Sequence, residues 1–146
     1  MTLENLVKVR KLVPQPASRE EIGKLLTAAQ RNIQDAHVSD VSATTRFDAA
    51  YKAIMQCALA SIRASGYRPS TSEPGHHITV IQSLPTTIGM SNERMIVLDA
   101  MRKKRNLNDY NGDGVSEEET EACVRAAEAL LKDVQVWLKS EHPEFI

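Results

Sequence analysis

Apolar residues return every three or four positions along most of this chain, in long runs that open on a serine, and no stretch sustains the two-residue alternation of a strand. Ser18 with Glu21 predicts a capping box, after which Ile22, Leu25, Leu26, Ala29 and Ile33 share one helical face as far as about Ala36. A second helix is predicted from near Ser42 to Thr45 through Ser65. Phe47, Ala50, Tyr51, Ile54, Cys57, Ala58 and Ile62 lie along one side of it, and Gly66 is its left-handed terminator. Small residues in that helix (Ala49, Ala53, Ala58, Ala60) admit a close neighbour. The loop Tyr67 to Gly75 reads as the most flexible interior stretch, and His76 to Leu84 as a shorter helix ended by Pro85. Ser91 caps a helix from Asn92 to about Asp109. Ser116 with Glu119 opens the last, which carries Cys123, Ala127, Leu130, Leu131, Val134, Trp137 and Leu138 on one face. Ahead of all these, Thr2 to about Val13 reads as a short helix set apart by Pro14 and Pro16, so residues 1–17 form an arm before one domain over 18–146. The predicted fold is all-α, an up-and-down bundle of four long helices with one additional short helix.

Charge and cysteine usage narrow the setting. A formal net charge of -1 over 146 residues argues against a general nucleic-acid coat or a polybasic membrane binder, so any anion site must be a local cluster. The two cysteines, Cys57 and Cys123, sit inside apolar helical patterns without CxxC or Cys/His spacing, which fits packing roles in a reducing compartment and gives no structural metal site. No window approaches the ~20 apolar residues of a spanning helix, and the start of the chain lacks a signal-peptide core. A cytoplasmic protein without membrane contact, cofactor or metal is expected.

The chemistry concentrates between Arg102 and Gly114, where a cationic helix end runs into an acidic, glycine-bearing turn. Arg105 follows Leu98 by seven residues and Met101 by four, so its side chain leaves from the apolar face and needs an acceptor there. Asp109, one turn on, is an internal candidate. Tyr110 lies five residues from Arg105, roughly 140° round a regular helix, so the two converge only where the helix ends near Asp109. One reading of these residues is a satisfied network that holds the helix end. Another is a calcium loop: Asp109, Asn111, Asp113 and Gly114 match the first, third, fifth and sixth positions of an EF-hand, yet the twelfth holds Thr120 in place of the bidentate Glu, and Ser116 serves better as a helix cap. His76 and His77, adjacent on a helix, point about 100° apart and do not chelate one ion, although a histidine from that helix can complete an Arg105 cleft by tertiary approach. Trp137 reads as core or dimer contact, and Lys52 and Arg63 as solvated charges on the polar side of the second helix.

A third reading is an anion site. Arg105-Asn106 followed by Tyr110 resembles the Arg-polar motif, closed by a His, of the HEPN family (higher eukaryotes and prokaryotes nucleotide-binding), near the end of a late helix in those proteins. The resemblance extends from Ser18 onward, through Arg46-Phe47-Asp48-Ala49-Ala50-Tyr51, Gly66-Tyr67-Arg68-Pro69 and Gly75-His76-His77. It implies a homodimer with two motifs facing across a cleft and, in active members, a metal-independent endoribonuclease. Many members are toxins paired with an antitoxin, often a nucleotidyltransferase, so RNA or a nucleotide and such an antitoxin are the implied partners. Arg105, Asn106 and Tyr110 take the catalytic positions, with Arg102, Lys104 and Arg105 as the phosphate contacts. Tyr110 departs from the motif: a phenol of pKa ~10 shuttles protons poorly at neutral pH beside imidazole near ~6.5. RNA or nucleotide binding with weak or absent cleavage is therefore the expectation, with an active ribonuclease and a purely protein-interacting subunit as the alternatives.

Overall fold

A computed structural model describes residues 2–72 and 75–146. These are mostly helical, with one two-stranded ribbon. In chain order the elements are α1 (Leu3–Lys8), β1 (Leu12–Pro14), α2 (Arg19–Ala36), α3 (Ala43–Ala64), β2 (Tyr67–Pro69), α4 (His76–Gln82), α5 (Leu84–Thr87), α6 (Asn92–Asn111) and α7 (Glu117–Glu141), followed by a 3-10 turn over Pro143–Phe145.

The long helices begin where their serines place them. Ser18, Ser42, Ser91 and Ser116 each accept a backbone N–H three residues on, and at Ser116 the Glu119 carboxylate returns the bond. At Ser18 the Glu21 carboxylate turns chiefly to Arg63 instead. Gly112, at φ 70°, terminates α6 in the left-handed conformation that glycine adopts at least cost.

Helix α3 is buried almost all round, as a central helix must be. It packs most extensively against α2 and α7, while α6 lies against α4, α3 and α5. Phe47, Ile54 and Ile62 of α3 are essentially without exposure, each worth about 1.5–3 kcal/mol of transfer free energy. The small residues Ala50, Ala53, Ala58 and Ala60 are equally buried and let the flanking helices come close.

Four local expectations are corrected. The first helix covers only Leu3–Lys8; the chain then turns through Arg10, at φ 65°, into β1, which pairs antiparallel with β2 in the register Leu12 with Pro69 and Pro14 with Tyr67. Leu6 and Leu12 are buried, so the residues before Ser18 contribute to the core. The expected flexible loop accordingly begins with a strand; Glu73 and Pro74 lie outside the described residues. Pro85 does not end the His76 helix: α4 stops at Gln82, and Pro85 falls in the first turn of α5, where a missing N–H costs nothing. Arg63, expected in solvent, is 5% exposed. It forks onto both Glu21 oxygens at 2.9 and 3.0 Å and donates to the carbonyls of Gln15, Pro16 and Tyr67. Among the described residues no helix is long and apolar enough to cross a membrane.

Candidate functional site

Asp48, Lys52, Met55, Gln56 and Leu59 follow one another at helical spacing on α3 and form one side of a groove of about 880 Å³. Asn32 of α2, Arg68 and Pro69 of β2, His76 and His77 of α4, and Arg105 and Asp109 of α6 line the rest. Arg105 reaches it because its face of α6 is the one that carries Leu98 toward the core. Its guanidinium stands 5.3 Å over the Tyr51 ring, and its Nε lies 3.4 Å from Asp109 Oδ2. A third of the side chain stays exposed, so a cation–π contact positions the group without covering it.

The surrounding groups titrate away from their ordinary values. Burial, then repulsion from Asp109, pushes the Asp48 carboxyl up, opposed by Arg105. Burial, then the neighbouring His76, Arg105 and Arg102, holds His77 below the usual imidazole range, so it is neutral at pH 7 and keeps a lone pair. Tyr51 is 2% exposed and pushed up to about 12, chiefly by burial; its Oη has no hydrogen-bond partner among the described residues. Lys52 and Arg68 make no ion pair among those residues.

Of the five residues expected to supply the catalytic positions and phosphate contacts, Arg102, Lys104, Arg105, Asn106 and Tyr110, Arg105 alone lines this groove. Arg102 is buried and held by Asp99 at 2.8 Å. Burial raises the Asp99 carboxyl, but Arg102, Lys103 and Gln82 together bring it below its ordinary value. Lys104 lies 3.4 Å from Glu119, and Asn106 is exposed. Tyr110 is 92% exposed: α6 continues to Asn111, so the convergence with Arg105 that an earlier helix end would give does not occur. His76 and His77, in contrast, join Arg105 in the groove, with their rings 4.7 Å apart edge to face. Lys52, Asn32, Gln56 and Arg68 lie in the groove without belonging to the Arg-polar motif; their one trace in the sequence is the polar stripe Asp48, Lys52, Gln56 at four-residue spacing on a largely apolar stretch of helix.

The acidic turn uses its own groups internally. Asn111 Oδ1 accepts the Asp113 N–H at 2.9 Å, and Asn108 Oδ1 accepts that of Gly114. Thr120, at the closing position of the loop, is fully buried with its hydroxyl on the Ala43 carbonyl. Among the described residues no group of three or more His, Cys, Asp or Glu side chains is placed to hold a metal. Cys57 and Cys123 are buried, their thiols pushed up to about 12 by burial, which makes them inert packing groups. No known protein family, characterised protein or solved structure matches this chain.

Proposed function

We propose that this chain is an RNA- or nucleotide-binding protein of HEPN-like build, its four long helices α2, α3, α6 and α7 forming the up-and-down bundle, from a toxin–antitoxin or defence-like system in the cytoplasm. The observation that carries the reading is Arg105, propped on Tyr51 in a groove that also presents Lys52 and Arg68, which make no ion pair among the described residues. A phosphate entering beside Arg105 replaces the 3.4 Å contact to Asp109 with a shorter, bidentate one, the geometry for which a planar guanidinium is suited. Cleavage is weak or absent in this reading, because the motif-position Tyr110 stands in solvent outside the groove.

His77 favours a second reading, an active metal-independent endoribonuclease. Its neutral imidazole shares the groove with Arg105, so it can take the 2′-hydroxyl proton as the 2′-oxygen attacks phosphorus and the 5′-oxygen leaves, protonated by water. The test is incubation of the wild type, Arg105→Ala and His77→Ala with labelled RNA in EDTA, with cleavage and retention scored on one gel. Retention lost in Arg105→Ala without cleavage supports the first reading. Cleavage lost in both variants supports the second. RNA neither held nor cut at low salt, where phosphate contacts are strongest, overturns both and leaves a protein-interaction subunit.

A further inference from the structure

Two amides in the same groove support an inference that rests on that reading. Asn32 of α2 and Gln56 of α3 meet in the groove lining, Asn32 Nδ2 donating to Gln56 Oε1 at 2.8 Å. That bond uses one donor and one acceptor of the pair. Asn32 Oδ1 and the Gln56 Nε2 amino group have no other partner among the described residues, and neither atom is sealed from solvent. One acceptor and one donor thus remain open on the bonded pair, and exchanging the oxygen and nitrogen of both amides leaves the same two functions in reverse order.

We propose that this amide pair reads an adenine whose phosphate lies at Arg105 and Lys52. Adenine offers an amino donor next to a ring-nitrogen acceptor, an edge to which Asn and Gln side chains hydrogen-bond. The other bases also carry adjacent donors and acceptors, so selection of adenine rests on its being the purine without a carbonyl, the best match to the apolar surface of Met55 and Leu59. Gln56 is one helical turn from Lys52, about 6 Å along α3, a separation that matches base to phosphate within one nucleotide. Met55 and Leu59, on the same stretch of α3, supply apolar surface for the flat of the ring. The bond between the amides fixes both rotamers before a ligand arrives, which lowers the ordering cost of binding. A free adenine nucleotide and an adenine within an RNA strand share this chemistry.

The experiment is fluorescence anisotropy at low salt with labelled AMP, UMP, GMP and CMP and with the four matching short oligoribonucleotides, on the wild type, Asn32→Ala, Gln56→Glu and Arg105→Ala. Gln56→Glu keeps the side-chain length, and circular dichroism confirms that each variant is folded. The expected result is a preference for adenine of roughly tenfold or more in the wild type, reduced to near equality in Asn32→Ala and Gln56→Glu, with affinity for every base lost in Arg105→Ala. Preference seen with AMP assigns the free nucleotide; preference seen only in the oligonucleotides assigns the strand. Equal affinity for the four bases, preference for another base, or a preference that survives both amide variants overturns adenine reading by the amide pair while Arg105-dependent binding stands. Absence of any Arg105-dependent binding overturns the proposed function itself.

Discussion

Tyr51 carries two opposed demands. Its ring supports Arg105, while its hydroxyl is buried without a partner among the described residues, a state that costs about 1–3 kcal/mol relative to a satisfied group. Tyr51→Phe keeps the ring and deletes the orphan, so its thermal midpoint should match or exceed that of the wild type; a fall would show that the hydroxyl holds a partner, such as an ordered water. Tyr51→Ala removes the ring as well and should cost about 3–5 kcal/mol in chemical denaturation. His77 gives the groove its pH response. Its folded pKa lies below 6.5, so the stability it contributes is present above that value and is lost as pH falls through the depressed one. Over the same interval the groove gains a cation beside Arg105, Arg102 and His76. Anion affinity should therefore rise as pH drops from 7 to 5 in the wild type, and the rise should be smaller in His77→Ala when binding is titrated at matched ionic strength.

At the scale of elements, the ribbon of β1 and β2 is tied to the helices by Arg63. That single side chain spans the start of α2, the segment before it and β2. Arg63→Ala leaves three carbonyls and a carboxylate without it and should cost about 3 kcal/mol, read from the denaturation midpoint; Arg63→Lys should recover little, since an ammonium lacks the fork that takes both Glu21 oxygens. The Glu21 carboxyl is held below its ordinary value, first by the bond from Arg63. A depressed carboxylate contributes stability above its unfolded pKa and loses it as pH falls through the folded one, so Glu21→Gln should flatten the decline below about pH 4.5. The contribution is modest because Glu21 remains 42% exposed. The same elements show what the chain makes legible. The long helices could be read because periodicity and serine caps are local signals, whereas β1 and β2 are three residues each, hold a proline apiece and meet across more than fifty positions. Arg105 could be read from its place on an apolar face. The Asn32–Gln56 pair could not, since it forms only when two helices are brought together.

Over the whole molecule, α6 leaves an apolar stripe in solvent. Ile96, Leu107 and Tyr110 are 61%, 56% and 92% exposed, and with Ala100 and Lys103 they recur at spacings of three and four, the seam of a two-helix pairing. Antiparallel pairing of two copies about a point between Met101 and Arg102 sets Ile96 against Leu107 and Ala100 against Lys103 across the seam, an arrangement that closes on itself with two-fold symmetry. Arg105 leaves α6 from the other side, into the groove against α3. The homodimer that the HEPN resemblance implies is thus expected through α6, with the two grooves facing outward in place of a shared cleft. Sedimentation velocity should find a dimer that Leu107→Glu and Ile96→Glu convert to monomer without loss of helical content, because both side chains are largely exposed in the single chain. Nucleotide affinity per chain should then be unchanged in Leu107→Glu. Loss of nucleotide binding together with the dimer would instead mean that both copies build one cleft, and a wild type that sediments as a monomer would overturn pairing through α6.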